Sequence, residues 1–151
     1  FNKKIFMIFG ILTSIFFIAE NISLNPYQYT WMNSFAKFYD INKKFEVDYW
    51  GISNKSLSNQ IKKDYSSRGF KKDNCIYGGQ YSNIFLHNQG FECFKSYSEL
   101  DSAKERPYYV IKNVRNTKRS NPKDCKLVKN EAFNYLFYKK SINAGSLWFC
   151  N

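Results

Sequence analysis

The side chains that could do chemistry in this chain are few and widely spaced. Glu46 and Asp48 are two residues apart in an extended stretch, so they share a face, and paired carboxylates can do acid–base work. Two exposed acidic residues are the commoner explanation of such a pair. The single histidine, His87, falls on a short predicted helix with no carboxylate or cysteine nucleophile nearby in the sequence, so we expect a structural or surface role.

No known catalytic or cofactor motif accompanies these residues. The sequence contains no G-x-G-x-x-G, P-loop, G-x-S-x-G or H-E-x-x-H pattern. Gly78-Gly79 follows a predicted strand, as a phosphate loop would, but two glycines alone indicate a plain turn. We therefore assign no catalytic, cofactor-binding or metal-ligating residue and expect no cofactor in this segment.

The cysteines indicate an oxidising compartment. None of the four belongs to a C-x-x-C pair, and a single histidine leaves a zinc site short of ligands. An even number of cysteines in an exported domain is typical of disulfides. Three pairings are possible, and the order along the chain favours Cys75–Cys93 with Cys125–Cys150.

A membrane-spanning helix is the best interpretation of the N-terminal segment. Ile5–Ala19 carries no charge and would span about 22 Å at ~1.5 Å per residue; it can be extended through Leu24 towards the ~30 Å of a bilayer core. A cleaved signal peptide and a buried core helix are the alternatives. Lys3 and Lys4 would mark the cytoplasmic end by the positive-inside rule, so everything after Leu24 would be extracytoplasmic.

Aromatic residues follow this segment. Pro26 marks the end of the helix, because proline fits poorly in a helix interior. Tyr27, Tyr29 and Trp31 are the amphipathic aromatics expected at the headgroup level of a membrane. Packing under the soluble domain explains them equally well.

The stretch that ends at Gly51 is the most distinctive in the chain. Asp48, Tyr49 and Trp50 place an acidic residue among bulky aromatics just before a predicted helix start. We interpret it as a rigid junction in which Asp48 accepts backbone hydrogen bonds or caps the turn. The functional alternative is contact with a sugar or a lipid phosphate.

The rest of the chain predicts a small α/β domain. Ser53 has the side chain of a helix N-cap, and the helix over 54–67 would bury a stripe of Leu57, Ile61 and Tyr65 before Gly69 ends it. A short helix capped by Ser82 should follow the first strand. The predicted strands cover 75–78, 92–97 and 108–114, then 126–129, 132–139 and 146–150 in the tail.

The order of these elements predicts the topology. Strand–helix–strand–turn–strand implies parallel pairing with right-handed crossovers, whereas the tail strands should add antiparallel pairs, with turns at 130–131 and 143–145. We expect a transmembrane helix over 1–24, an aromatic junction over 25–52 and an extracytoplasmic α/β domain over 53–151.

The chain is strongly basic, with 23 Lys and Arg against 12 Asp and Glu and a net charge of +11. Nucleic acid and anionic lipid are the partners that such a charge suggests. No nucleic-acid motif accompanies it, even in the densest run, Lys112–Arg119, so a solvated lysine-rich surface is the expected explanation.

Two stretches carry a family resemblance. Asn25-Pro26-Tyr27-Gln28-Tyr29 with Asn33, followed by Phe45-Glu46-Val47-Asp48-Tyr49-Trp50-Gly51, resembles the region after the last membrane helix of bacterial polytopic glycosyltransferases. These are the dolichyl-phosphate-mannose protein mannosyltransferase-like enzymes, glycosyltransferase family 39 and its relatives. Asn25 stands where that family usually has His. The resemblance covers about residues 5–68 and the tail only in outline.

The resemblance implies transfer of a sugar from a lipid-phosphate donor on the extracytoplasmic face. The family's catalytic acidic residue lies near the N-terminus of the full enzyme, and no position here corresponds to it. A chain that begins with Phe1 rather than Met is expected to be a fragment or a processed chain. Its partners would be the lipid bilayer, the upstream transmembrane core and a lipid-phosphate-linked sugar. The alternatives are a single-helix-anchored envelope binding or assembly protein and a secreted basic polymer-binding protein.

Overall fold

The protein consists of an exposed apolar helix and a mixed α/β domain. The computed structural model describes residues 3–28, 48, 51–102, 106–113, 120–136, 138 and 140–151. In chain order the helices and strands are α1 (Lys3–Ser23), α2 (Ile52–Asp64), a 3-10 turn (Ser66–Arg68), β1 (Ile76–Gly78), α3 (Gln80–His87), β2 (Phe94–Ser96), a 3-10 helix (Tyr97–Ser102), β3 (Tyr108–Asn113), β4 (Cys125–Phe133) and β5 (Ile142–Cys150).

The five strands form one mixed sheet in the order β2-β1-β3-β5-β4. β1 pairs in parallel with both β2 and β3, as the order of elements predicts, and the tail strand β5 runs antiparallel between β3 and β4. β2 lies on one side of β1 and β3 lies on the other, so the connection from β2 to β3 crosses β1 in the opposite direction to the connection from β1 to β2. Right-handed crossovers in opposite directions place their connections on opposite faces of the sheet.

One face of the sheet is covered by the helices. Tyr109 and Ile111 of β3 lie beside Phe149 and Leu147 of β5, and these side chains form a buried cluster with α2 and α3. On α2, Leu57 and Ile61 are fully buried and Tyr65 packs against the cluster, so the predicted apolar stripe faces the sheet. Gly69 ends the following 3-10 turn with φ 68°, as expected of a helix stop.

The opposite face is covered only in part. Tyr77, Tyr108 and Val110 form a second cluster with Tyr97, the first residue of the 3-10 helix, and with the Cys125–Cys150 disulfide. Tyr77 meets Tyr108 edge-on with ring centroids 5.2 Å apart. This packing covers the end of the sheet near the disulfide, and the structure describes no helix over the other end.

Two helix starts differ from the prediction. Ser53 is the second residue of α2 rather than its N-cap, because the chain enters the helix through Gly51 in the left-handed conformation, φ 67°. α3 begins at Gln80, with Gly79 at the N-cap position, so Ser82 lies inside the helix. In both cases a glycine makes the entry turn, and the serine one or two residues inside the helix is buried.

The described residues of the tail form two strands, whereas the sequence predicts three. Asn130-Glu131 and the segment 143–145, predicted as turns, lie inside β4 and β5. Glu131 pairs with Gly145, and a β-bulge follows at the Glu131/Ala132 step. Asn and Gly are poor strand formers, but pairing on both sides of β5 overrides that preference. The strand predicted through Val114 is described to Asn113, and positions 137 and 139 lie outside the described residues.

Both disulfides favoured by the order along the chain are present. Cys75–Cys93 joins the residues immediately before β1 and β2, and Cys125–Cys150 joins directly paired residues of β4 and β5. No cysteine is therefore free. In each case the bridge links two neighbouring strands of the sheet at the same level.

The N-terminal helix is long and apolar enough to cross a membrane. Lys3–Ser23 has 21 residues, and only 6% of its most apolar 18-residue window is buried, so it is not a core helix. At ~1.5 Å per residue it would be about 31 Å long, the thickness of a hydrocarbon core. A signal sequence can have the same length and composition.

Candidate binding site on the open face of the sheet

Three polar residues lie side by side on the sheet face away from α2 and α3. Lys112 of β3 pairs with Ser146 of β5, and Ser146 pairs with Asn130 of β4. Residues directly opposite each other in antiparallel strands project to the same face, so the three form one row across the sheet. The neighbouring row contains Leu127, Trp148 and Val110.

Lys112 is buried although it carries a charge. It is 8% exposed, and Ser146 beside it is 7% exposed. The Lys112 Nζ donates to the side-chain oxygen of Asn121 at 2.9 Å. Burial lowers the pKa of the Lys112 ammonium group, because the charged form loses hydration. A lysine side chain thus lies within the sheet face, with Asn121 among its hydrogen-bond partners.

A small cavity opens above this row; we refer to it as the first cavity. Its volume is about 150 Å³. The lining is mainly amide and hydroxyl groups with one indole: Lys112, Asn113, Asn121, Leu127, Asn130, Asn143, Gly145, Ser146 and Trp148. The Trp148 Nε1 donates to the Ser146 hydroxyl at 2.9 Å, which holds the indole along the strand direction.

A larger depression, the second cavity, lies next to the first and shares Asn121 with it. Its volume is about 590 Å³. The lining combines aromatic, hydroxyl and charged groups: Tyr97, Ser98, Leu100, Arg106, Tyr108, Ser120, Asn121, Pro122, Lys123 and Asp124. The Arg106 guanidinium lies 5.9 Å from the centre of the Tyr108 ring. The two cavities adjoin at Asn121.

The side chains of the first cavity are suited to binding a ligand. Within the described part of the chain, no group of three or more His, Cys, Asp or Glu side chains is placed to hold a metal ion. The described residues that line the first cavity offer hydrogen bonds, one cation and one aromatic ring, and none of them carries a carboxylate or a thiol. These groups can bind and orient a polar ligand.

Asp48, selected from the sequence, lies at the start of α2. It is 3% exposed, and its carboxylate accepts hydrogen bonds from the Ile52 amide at 2.8 Å and the Ser53 amide at 3.3 Å. The Ser53 hydroxyl also donates to it. Asp48 thus satisfies two of the free amide groups at the helix start. Its neighbours Tyr49 and Trp50, and Glu46, lie outside the described residues.

Near Asp48, a second set of polar contacts connects α2 to β4. The Lys129 Nζ lies 2.6 Å from the Glu131 carboxylate and 2.8 Å from the Ser56 hydroxyl, which in turn donates to Glu131. Lys129 and Glu131 lie on the face that α2 covers, next to Leu147 and Gly145 in register. The start of α2 is therefore fixed both to Asp48 and to the sheet.

Of the predicted membrane-interface residues, Tyr27 packs under the domain. It is 3% exposed and shares a buried cluster with Leu24, Phe133 and Ile142. Burial first, and then the charges of Asp48 and Glu131, raise the pKa of the Tyr27 hydroxyl. The alternative of packing beneath the soluble domain therefore applies to Tyr27, whereas Tyr29 and Trp31 lie outside the described residues.

The remaining sequence candidates are not brought together. His87 is exposed at the end of α3, and Gly78-Gly79 forms the end of β1 and the entry to α3. Sequence reasoning misses the residues of the first cavity, because it places Lys112 only within a basic run. The available clue was the pair Lys112-Asn113 at the end of an otherwise apolar strand, where a fully buried strand should have apolar side chains.

Comparison with known proteins adds no family: no protein-family model, no curated protein and no solved structure matches the chain.

Proposed function

We propose that this chain is the extracytoplasmic end of an integral-membrane glycosyltransferase, in which α1 is a membrane span and the α/β domain supports the acceptor side. On this proposal the chain carries no catalytic residue, and the sugar comes from a lipid-phosphate donor bound by the upstream membrane core. The motif resemblance of residues 25–29 and 45–51 supplies the enzyme class. The two disulfides support an extracytoplasmic domain, because such bridges persist in oxidising compartments.

The observation that carries the proposal is the contact between the end of the apolar helix and the domain. The helix is exposed along its length, but Glu20 near its end is 1% exposed, and Leu24 and Tyr27 just beyond it are buried against β4 and β5. An exposed apolar helix needs lipid or other membrane helices around it. A domain packed on its end would then rest at the membrane surface, where lipid-linked substrates have their polar groups.

The first experiment tests the enzyme class. Membranes containing the complete reading frame should transfer labelled sugar from a polyprenyl-phosphate donor, and Tyr27→Ala, which removes the packing of the helix end on β4, should reduce this transfer. Lys126→Met, at an exposed position of β4, is the matched control and should leave transfer unchanged. A reading frame that starts immediately before Phe1 and encodes no further apolar span would overturn the proposal.

The second experiment tests sidedness. Alkaline phosphatase fused after Asn151 should be active in a bacterial host, since the enzyme folds only outside the cytoplasm. A fluorescent protein that folds only in the cytoplasm should be dark at the same position. The opposite result would place the domain in the cytoplasm and end the proposal. Detection of the processed chain in the soluble envelope fraction would identify residues 1–24 as a signal peptide.

The second candidate function is an envelope binding protein anchored by α1 alone. The polar first cavity favours it, because a binding protein needs a ligand site within this chain. The two candidates make opposite predictions for sugar transfer by membranes, whereas both are compatible with ligand binding in the domain.

A further inference from the structure

The two adjoining cavities have a size that limits what they can hold. The first, at about 150 Å³, is smaller than the ~300–1,000 Å³ typical of sites for drug-sized ligands, so it suits one ring or one small charged group. The second, at about 590 Å³, is within that range. A ligand that extends from one to the other must pass Asn121, which lines both.

The polar groups of the first cavity match a ligand with several hydroxyls. Three asparagines, Asn121, Asn130 and Asn143, can present their side-chain amides to it, and each planar amide offers both donors and an acceptor. The Ser146 hydroxyl and the Trp148 indole lie between them. An aromatic ring buries the apolar C–H face of a saccharide while neighbouring amides bind its hydroxyls, which is a combination that a plain ion site does not need.

The charge in the cavity points to an acidic group on the ligand. Lys112 supplies a cationic group from a buried residue, and its Nζ donates to the Asn121 side chain. None of the described residues that line the first cavity carries a carboxylate, so this lining is electropositive. An anionic ligand group would stabilise the charged form of Lys112, which burial alone disfavours.

We propose that the first cavity binds an acidic saccharide, with its charged group near Lys112 and its ring beside Trp148. Further sugar residues would follow the second cavity, along Tyr97, Tyr108 and Arg106. This assignment rests only on the residues that line the two cavities, so it is compatible with a glycosyltransferase domain and with an envelope binding protein.

The position of the site agrees with a ligand near the membrane. Asn143 in the lining follows Ile142, which packs in the cluster with Leu24 and Tyr27 at the end of α1. From Ile142 to Ser146 the strand advances four residues, or about 13 Å at ~3.3 Å per residue. The ligand would therefore lie within a short distance of the membrane end of the domain.

Calorimetric titration of the full chain in detergent micelles tests the proposal. The probes are the 1-phosphates of glucose, mannose and N-acetylglucosamine, galacturonate, the neutral parent sugars, and inorganic phosphate. At least one acidic sugar should bind saturably, and at least tenfold more tightly than both its neutral parent and inorganic phosphate. Lys112→Met should weaken this binding at least tenfold, whereas Lys126→Met, an equal change of net charge at an exposed position outside both cavities, should not.

A second variant keeps the test decisive if Lys112→Met does not fold. Asn130 is exposed on β4, so Asn130→Asp should preserve the fold while it places a carboxylate in the cavity lining, and it should weaken acidic sugars at least tenfold. Absence of binding by every acidic sugar overturns the proposal. Equal binding of inorganic phosphate, which would indicate a simple oxyanion site, or of the neutral sugars also overturns it, as does an equal loss with Lys126→Met.

Discussion

Tyr27 stacks on Phe133 with ring centroids 4.7 Å apart and an angle of 22° between the ring planes. Tyr27 follows the end of α1, and Phe133 is the last residue of β4, so the contact joins the end of the apolar helix to the sheet. Leu24 and Ile142 complete the cluster. The domain and the helix end are therefore one packed unit rather than two bodies on a linker.

The first prediction concerns this contact. Tyr27→Ala should lower the free energy of unfolding by about 3–5 kcal/mol, because it removes a buried aromatic ring and leaves a cavity. Tyr27→Phe keeps the ring and should cost no more than about 1.5 kcal/mol. Urea denaturation of the full chain in detergent micelles, followed by tryptophan fluorescence, measures both. Equal stability of Tyr27→Ala and the unchanged chain would show that the ring contact does not hold the domain.

The second prediction concerns the start of α2. Asp48→Ala should destabilise the domain by about 1–3 kcal/mol, because the Ile52 and Ser53 amides and the Ser53 hydroxyl lose a buried acceptor. Asp73→Ala, in an exposed turn, is the matched control and should stay within about 0.5 kcal/mol. The measurement is the urea midpoint at constant slope. A similar midpoint for the two variants would argue against a capping role.

The role of Asp48 could be anticipated because its determinants are local. An acidic residue, a glycine and a helix start within six positions restrict the possible hydrogen bonds. The parallel pairing of β1 with β2 and β3 follows from the order of elements along the chain, and the order of the cysteines favours the two disulfides that are present. The predicted helix starts are less accurate. Glycine and serine both occur near each start, and at α2 only the backbone angle at Gly51 shows that the glycine, not the serine, is the N-cap.

The first cavity could not be anticipated from the sequence. Lys112, Ser146 and Asn130 come from three strands, and they form a row only through the register of β3, β5 and β4. That register depends on the bulged pairing of β4 with β5, and the sequence there reads as turns. The local turn propensity of these residues therefore gives the wrong prediction, because β5 pairs with a strand on each side and this pairing determines the structure.

The third prediction concerns the close approach of α2 to β5 at Gly145. A Cβ at this position would lie 2.8 Å from the Ser53 Oγ and 3.3 Å from the Lys112 carbonyl oxygen, so Gly145→Ala should cost about 1–3 kcal/mol. Ser53→Ala removes the nearest atom, and the double variant should be less destabilised than the sum of the single ones.

A double-mutant cycle in urea measures this coupling. Gly10→Ala is the control, since nothing lies within 4 Å of a Cβ there. Strict additivity of the two single changes would contradict the contact between Ser53 and Gly145.

The fourth prediction concerns the disulfides. Mass spectrometry after alkylation under denaturing, non-reducing conditions should find no modified cysteine in the purified chain. Replacement of Cys125 and Cys150 by alanine should lower the free energy of unfolding by about 3 kcal/mol, because the bridge restricts the unfolded chain over a 25-residue separation. The same replacement of Cys75 and Cys93 should have a similar effect over 18 residues. Reactive thiols in the native chain would contradict both pairings.

The fifth prediction concerns alkaline pH. Burial first, and then the charge of Asp64, raise the pKa of the Tyr109 hydroxyl, which donates to Asp64 at 3.3 Å. The unfolded chain releases this proton near pH 10, whereas the folded chain retains it, so above pH ~10 the folded state binds more protons. The contribution of Tyr109 to stability is thus complete below pH ~10 and is lost as the pH rises towards the higher folded pKa.

Tyr109→Phe isolates this effect from the titration of the lysines. Between pH 10 and 11 the free energy of unfolding should fall less steeply in the variant, by up to about 1.4 kcal/mol per pH unit. At pH 8 the variant should differ only by the constant cost of the lost hydrogen bond to Asp64, about 1–2 kcal/mol. Tyr27→Phe should flatten the profile in the same direction, since the pKa of Tyr27 is also raised. Parallel profiles of all three proteins would show that neither hydroxyl keeps its proton in the folded state while losing it in the unfolded chain.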